Sequence, residues 1–138
     1  MKIIVCLDDD GGMLFGGRRQ SRDRVLLADA SADAKKRGGR LFITEFSRKL
    51  FEGEGIDFCL DNNMLANADT RDTCFVENLA VGAYTDRIDE IVVYRWNRKY
   101  PHDFSFDISP EDKGFKKEIS TELVGSSHEK ITKEIFVK

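Results

Sequence analysis

The order in which short apolar runs alternate with helical segments constrains the fold of this chain more than any other feature. The run from Lys2 to Leu7 is almost wholly apolar, which is typical of a strand that is covered on both faces. A predicted helix over Arg22–Arg37 follows, with Ser21 as N-cap and Gly38-Gly39 at its end. Further strands are predicted at 40–44, 56–60 and 73–77, and short helices at 47–51, 62–68 and 79–85. This alternation predicts parallel strands joined by right-handed crossovers.

The last third of the chain has a different pattern. Strand-like runs at 90–96, 115–124 and 131–137 follow one another, and no helical segment separates the last two. Two adjacent strands joined by a short polar loop form an antiparallel hairpin. We therefore predict an α/β fold with a mixed, mostly parallel central sheet that is flanked by helices and closed by a C-terminal antiparallel hairpin. No repeat or linker divides the chain, so residues 1–138 are expected to form a single domain.

Composition narrows the classes of partner. Basic and acidic side chains nearly balance, at 22 against 25, and the net charge of −3 argues against generic binding to nucleic acid. No run approaches the ~20 apolar residues that a membrane span requires, so a cytoplasmic protein without a membrane partner is expected. Cys6, Cys59 and Cys74 form no CxxC pair and no zinc spacing, and they are interpreted as buried thiols.

Charged residues of both signs surround the end of the first strand. Asp8–Asp10 ends that strand, and Arg18, Arg19 and Arg22 precede or begin the predicted helix. An open α/β sheet usually binds its ligand at the carboxyl ends of its strands, so this segment is a candidate binding site. The arginines can hold a phosphate beside the helix N-terminus or neutralise the acidic triplet, and both interpretations stay open. An acidic triplet before glycines favours a turn over a cation site, so no metal is predicted.

Polar residues at the ends of the other parallel strands complete the candidate ligand site. Each of them ends a predicted strand or starts the next helix, so all are expected at the same edge of the sheet. The predicted ligand-binding set is Asp8, Arg18, Arg19, Arg22, Asp23, Thr44, Ser47, Glu77 and Asn78.

The segment Tyr94–Tyr100 interleaves aromatic and basic side chains. This composition is typical of surfaces that stack on bases and of protein interfaces, and core packing accounts for it equally well. The candidate contacts with a protein partner are Tyr94, Trp96, Arg98 and Tyr100.

A second segment, Ser126–Glu129, contains a hydroxyl, an imidazole and a carboxylate. Neighbours in a tight hairpin loop rarely face one another as a catalytic relay requires. We therefore predict that this segment is a turn.

The order of elements resembles that of the dihydrofolate reductase fold over nearly all of the chain. The similarity is closest where Asp89–Arg95 is followed by Asp103–Asp107 and then by the strands that begin at 115 and 131. The resemblance implies that Met13–Phe15 occupies the place of the family's mobile loop over the substrate. It also implies that Asp23 lies near the helix carboxylate that holds a pterin ring. Because arginines flank Asp23, an ion-paired acid of the first helical turn is the alternative interpretation.

The phosphate-binding turns of that family differ in this chain. The family holds its cofactor phosphates with a Gly-Arg-x-Thr turn and a Gly-Gly pair, whereas the corresponding segments here are Glu45–Arg48 and Glu77–Leu79. A carboxylate in place of glycine obstructs and repels a pyrophosphate. We therefore expect no nicotinamide cofactor, and no other cofactor.

The chain is also similar to small uncharacterised bacterial proteins that sometimes have a ribonuclease Z label. The shared segments are Gly-Met-Leu-Phe, Arg-Arg-Gln-Ser-Arg-Asp-Arg, Tyr-Arg-Trp-Asn-Arg and Gly-Ser-Ser-His-Glu-Lys-Ile-Thr-Lys-Glu. Ribonuclease Z is a two-metal hydrolase that needs a His-x-His-x-Asp-His cluster and further histidines. This chain has only His102 and His128, which are far apart in sequence, so that activity is not expected.

These observations leave three classes of function. The leading hypothesis is a protein that binds a nucleotide-like or phosphorylated ligand at the carboxyl edge of the strands, without nicotinamide chemistry. The first alternative is a protein-interaction module, such as an immunity or antitoxin protein, that covers its partner with the acidic turns and the segment Tyr94–Tyr100. The second is a degenerate NADPH-dependent reductase with Asp23 as its catalytic proton donor.

Overall fold

A seven-stranded sheet forms the centre of the computed structural model, which describes residues 1–138. The strands are β1 (Lys2–Leu7), β2 (Gly12–Phe15), β3 (Arg18–Arg19), β4 (Leu41–Ile43), β5 (Cys59–Leu60), β6 (Thr73–Phe75), β7 (Glu90–Arg95), β8 (Phe104–Ser105), β9 (Lys116–Leu123) and β10 (Ile131–Val137). The helices are α1 (Arg24–Arg37), α2 (Arg48–Phe51) and α3 (Met64–Asn67), and short 3-10 turns lie at Glu45–Ser47, Gly82–Arg87 and Glu111–Lys113. The stretch predicted as a helix at 79–85 forms only the second of these turns. No helix has the length and apolar character needed to cross a membrane.

The strand order in the central sheet is β5-β4-β6-β1-β7-β10-β9. β1 pairs in parallel with β6 and β7, and β4 pairs in parallel with β5 and β6. β10 runs antiparallel to both β7 and β9. The predicted fold class, a mostly parallel mixed sheet with a C-terminal antiparallel hairpin, is confirmed.

β1 lies in the middle of the sheet because both of its faces are apolar. Ile3 and Val5 belong to the core on one face, and Ile4 belongs to the core on the other. α1 covers the second face and packs Leu26 and Ala30 into that core. The end of β1 and the loop after it therefore lie near the centre of the carboxyl edge of the sheet, where ligands bind in open α/β folds.

The sequence pattern did not predict the second, small sheet, which has the order β3-β2-β8. Its strands have only two to four residues, too few for a recognisable alternation of apolar and polar positions. Gly16 and Gly17 join β2 to β3, and their φ angles of 59° and 73° are left-handed. Because β3 consists of Arg18 and Arg19, this turn decides where both guanidinium groups lie.

α1 begins two residues later than predicted. Asp23, and not Ser21, is the N-cap, because its side chain accepts hydrogen bonds from the Val25 and Leu26 N–H groups. Gly38 ends the helix in the left-handed conformation, as predicted. The Ser21 hydroxyl is thereby left for another partner, which lies in the loop between β9 and β10.

The aromatic side chains at the end of β7 point inward, which corrects part of the predicted partner surface. β7 lies between β1 and β10, and Tyr94 and Trp96 are both buried. The Tyr94 hydroxyl donates a hydrogen bond to Asp29 of α1 at 2.6 Å. Neither side chain is available to a partner, so these two predicted contacts are wrong. Arg98 is exposed and Tyr100 is half-buried, and for these two a partner contact stays a prediction.

Candidate functional site

A narrow cleft opens at the carboxyl edge of the sheet, beside the segment Arg19–Asp23. Glu77 also borders it, and Leu26, Phe75 and Trp96 are among its apolar lining side chains. The empty space, including the open mouth, is about 390 Å³. The enclosed part has room for roughly one or two water molecules. The cleft therefore fits a small chemical group and not a whole nucleotide.

Arg19 and Glu77 form a two-pronged ion pair in this cleft. Arg19 Nε and Nη2 donate to the Glu77 carboxylate at 2.8 and 2.9 Å. The Ser47 hydroxyl donates to the same carboxylate at 2.7 Å. The hydrogen bond to Glu77 raises the pKa of the Arg19 guanidinium despite partial burial. The structure thus brings three of the predicted site residues together, but Glu77 already neutralises the charge of Arg19.

Thr44 and Asn78 meet at the same edge of the sheet. The Thr44 hydroxyl donates to the Asn78 side-chain oxygen at 3.0 Å, and Thr44 is buried. This bond ties the end of β4 to the turn after β6. Neither side chain lines the cleft, so a contact between these two residues and a ligand stays a prediction.

Asp8 is fully buried and is held by groups other than the arginines. The Gly12 N–H and the Gln20 side-chain amide donate to it at 2.7 and 2.8 Å, and His102 Nδ1 lies 3.0 Å away. Burial by itself would raise the pKa of this carboxyl, but the hydrogen bonds from Gly12 and Gln20 outweigh burial and lower the pKa. The interpretation in which arginines neutralise the acidic triplet is therefore wrong, since its side-chain partners are Lys99, which pairs with Asp10, and Gln20 and His102, which contact Asp8.

Arg18 and Arg22 are exposed, and neither forms an ion pair with a carboxylate of the chain. Arg22 lines the cleft, and Arg18 lines a shallower groove beside it. The two depressions are adjacent because Arg19 contributes to both. Two unpaired cations therefore lie along one rim.

Asp23 is buried at the start of α1, and both of its carboxylate oxygens are occupied. Besides its N-cap bonds, it accepts hydrogen bonds from the Ser126 and Ser127 N–H groups at 3.1 and 2.9 Å, and its Oδ2 lies 3.2 Å from His128 Nδ1. Burial would raise the pKa of this carboxyl, but these hydrogen bonds outweigh burial and hold the pKa far below its usual range. Asp23 lines the cleft, but a carboxylate whose two oxygens already accept these hydrogen bonds is poorly placed to donate a proton, so its reductase role stays a prediction without support from this geometry. Asp23 makes no ion pair with the flanking arginines either.

His128 connects the Asp23 carboxylate to the Ser21 hydroxyl, which lines the cleft. Its Nε2 lies 3.0 Å from the Ser21 hydroxyl and 3.4 Å from the Tyr100 hydroxyl, while its Nδ1 faces Asp23. The Trp96 ring packs against the imidazole, with 4.6 Å between the ring centroids. Sequence reasoning predicted only a turn here and missed this arrangement. Ser21 and His128 are 107 residues apart, and no pattern within the loop points to the partner.

Gly125 allows the loop to come close to Asp23. A Cβ atom at this position would lie 2.4 Å from Asp23 Oδ2 and 2.8 Å from the His128 carbonyl oxygen. Both distances are shorter than carbon and oxygen atoms tolerate. A side chain at Gly125 would therefore push the loop, and His128 with it, away from α1.

No group of three or more His, Cys, Asp and Glu side chains is arranged to hold a metal ion. Of the three cysteines, only Cys74 is buried, whereas Cys6 and Cys59 are half-buried. Burial raises the pKa of the Cys74 thiol to about 12, which leaves it protonated and unreactive at neutral pH.

A mixed sheet of this strand order, with a cleft beside the loop after β1 and the start of α1, gives the protein a dihydrofolate reductase-like fold. Among solved structures, the chain is similar to a dihydrofolate reductase from Enterococcus faecalis complexed with NADP(H) and RAB-propyl, with a TM-score of 0.64 and 12% sequence identity. The match covers 99% of this chain and 94% of the other. The predicted resemblance in fold is confirmed, and at this identity the likeness concerns the fold alone. No protein-family model matches the chain, and no curated protein matches it.

Proposed function

We propose that the protein binds a small phosphorylated or nucleotide-like ligand at the mouth of the cleft, without nicotinamide chemistry. The observation that supports this most is which arginines have a carboxylate partner and which have none. Glu77 neutralises Arg19, whereas Arg18 and Arg22 are exposed and have no carboxylate partner. A guanidinium group binds phosphate through two parallel hydrogen bonds. Two free guanidinium groups along one rim therefore favour an anionic ligand.

The groove beside the cleft has the composition of a site for a planar ring. Phe15, which is 52% exposed, lines it together with Tyr100, Pro101 and Arg18. Its empty space is about 480 Å³, within the range of small-molecule sites. Aromatic side chains stack on bases. We therefore place a base in the groove and the phosphate beside Arg22 at the mouth of the cleft.

The turns after β4 and β6 disfavour the pyrophosphate of a dinucleotide cofactor. Glu77 places a carboxylate at the end of β6, and the Ser47 hydroxyl and Arg19 hold it there. A pyrophosphate beside this carboxylate is repelled unless a cation separates the two. The negative charge of Glu77 therefore favours a ligand position on the Arg22 side of the cleft, and it argues against a nicotinamide cofactor.

Replacement of the free arginines is expected to weaken phosphate binding. Arg22→Ala and Arg18→Ala should each raise the Kd for adenosine monophosphate by about 10- to 150-fold, because each removes a charge-assisted hydrogen bond of about 1.5–3 kcal/mol. Isothermal titration calorimetry measures the change. Arg24→Ala is the matched control, since it removes the same charge from a neighbouring position that lines neither depression. Failure of the wild-type protein to bind adenosine monophosphate and pyrophosphate would contradict the proposal.

Glu77→Gln is expected to have the opposite effect. Glutamine preserves the side-chain size and an acceptor for the Ser47 hydroxyl, but it removes the charge that neutralises Arg19. We expect pyrophosphate to bind about three- to tenfold more tightly in the same titration, because a third guanidinium becomes available. Ser47→Ala leaves the ion pair in place and serves as the control. A weaker or unchanged affinity in Glu77→Gln would show that the ligand does not approach Arg19.

A further inference from the structure

We propose that Ser21, His128 and Asp23 form a nucleophilic relay that hydrolyses a small carboxylic ester held in the cleft. Ser21 is the nucleophile, His128 is the base, and Asp23 positions the imidazole. This activity goes beyond the proposed binding function, because attack on a neutral ester requires neither Arg18 nor Arg22.

The distances follow the order that proton transfer requires. The Ser21 hydroxyl lies 3.0 Å from His128 Nε2, and His128 Nδ1 lies 3.2 Å from Asp23 Oδ2. The Asp23 carboxylate and the Ser127 hydroxyl, which lies 3.1 Å from Nδ1, both offer an acceptor to a proton on Nδ1. In that tautomer the lone pair of Nε2 is directed to the Ser21 hydroxyl. Asp23 is buried and ionised, and it therefore stabilises the imidazolium that forms when Nε2 takes the serine proton.

His128 is held by packing and hydrogen bonds, whereas the Ser21 hydroxyl is accessible from the cleft. His128 is buried against the Trp96 ring, and the loop that contains it is tied to Asp23 through backbone N–H groups. Ser21 is half-buried and lines the cleft. A clamp between α1 and the loop is complete with Asp23 and Ser126–His128 alone. The Ser21 hydroxyl adds a single hydrogen bond to His128, and it is placed where a nucleophile must be.

The cleft also provides a place for the acyl group and donors for the oxyanion. Leu26, Phe75 and Trp96 line a small enclosed space, which fits an acyl group no larger than acetyl. The backbone N–H groups of Ser21 and Arg22 make no hydrogen bond within the protein. Donors on the nucleophile's own segment can stabilise the negative charge that develops on the carbonyl oxygen.

The reaction balances without a cofactor. The Ser21 oxygen attacks the carbonyl carbon while His128 takes the Ser21 proton, and the bond from that carbon to the alcohol oxygen then breaks. His128 returns the proton to the leaving alcohol. A water molecule next attacks the acyl-serine while His128 takes one of its protons. The bond from the acyl carbon to the Ser21 oxygen then breaks, and His128 gives its proton to that oxygen, which releases the carboxylic acid and regenerates the Ser21 hydroxyl. Ester and water are consumed, and one alcohol and one acid are formed.

Labelling with a fluorophosphonate probe and turnover of p-nitrophenyl acetate test the relay in the full chain. We expect intact-mass spectrometry to show one adduct that peptide mapping assigns to Ser21, together with ester hydrolysis faster than in buffer. Ser21→Ala should abolish the adduct, and His128→Gln should slow labelling and hydrolysis by about 100-fold or more. Ser120→Ala is the control, because Ser120 is an exposed serine on β9 that does not line the cleft. Its labelling rate should equal that of the wild type.

A separate kinetic measurement tests whether Asp23 positions the His128 imidazole. At a temperature where circular dichroism shows the Asp23→Asn variant to be folded, we expect kcat for the ester to fall while KM stays nearly constant. A change in folding alone would instead reduce the amount of active protein and leave kcat per labelled molecule unchanged.

The relay is overturned if folded wild-type protein takes up no label at Ser21, or if folded Ser21→Ala hydrolyses the ester at the wild-type rate. Neither outcome affects the binding function, which the titration with adenosine monophosphate measures separately. Conversely, a wild-type protein that is labelled at Ser21 but binds no phosphorylated ligand would support the relay and contradict the binding function.

Discussion

Asp23→Ala is expected to lower the free energy of unfolding by about 3 kcal/mol. The change removes the N-cap of α1, at a cost of about 1 kcal/mol. It also leaves the N–H groups of Ser126 and Ser127 without their acceptor, at a further cost of about 1–3 kcal/mol. Urea denaturation followed by circular dichroism measures the loss. Asp9→Ala removes an exposed carboxylate that has no ion-pair partner, and this control should change stability by less than about 0.5 kcal/mol.

The same carboxylate is expected to make the protein sensitive to acid. Hydrogen bonds lower the pKa of Asp23 in the folded state below its value of about 4 in the unfolded chain. Its stabilisation is therefore fully present above about pH 4 and is lost as the pH falls toward the folded-state pKa. Below about pH 4, wild-type stability should fall more steeply than that of Asp23→Ala, in which Asp8, Asp72 and Glu134 still titrate with lowered pKa values. Parallel curves for the two proteins would count against this assignment.

Trp96→Ala is expected to lower the free energy of unfolding by about 3–5 kcal/mol, as is usual when a buried tryptophan is truncated. Trp96 is only 4% exposed, and its ring packs on the His128 imidazole. The truncation leaves a cavity and releases the loop, so amide hydrogen exchange at 125–128 should accelerate. Val124→Ala is the control, since Val124 is 79% exposed beside the same loop and its truncation should be nearly neutral. A stable Trp96→Ala variant that had lost a protein partner would restore the interpretation of Trp96 as a contact residue.

The central strands could be predicted because a long apolar run has few stable places in an α/β fold. β1 and β7 match the predicted runs to within one residue, and β10 coincides with its prediction. β3 and β8 could not be predicted, because they have two residues each and exist only through pairing with β2. Local pattern identifies an element only when the element is long enough to show a period.

Part of the candidate site was also predictable. Residues directly after parallel strands lie at the carboxyl edge of the sheet, and so Glu77 and Ser47 meet Arg19 even though Glu77 is 58 residues from Arg19. Which arginine is neutralised could not be predicted. That outcome depends on the direction of the β3 side chains, which the Gly16-Gly17 turn sets.

The fold class, the central place of β1 and the edge where polar residues gather all follow from which residues are apolar and where each apolar run ends. The inward orientation of Tyr94 and Trp96 and the contact between Asp23 and His128 arise from tertiary packing. Asp23 and His128 are 105 residues apart. Their contact depends on how the loop between β9 and β10 packs on the start of α1. The strand order and the close approach around Gly125 set that packing, and no local sequence pattern encodes either of them.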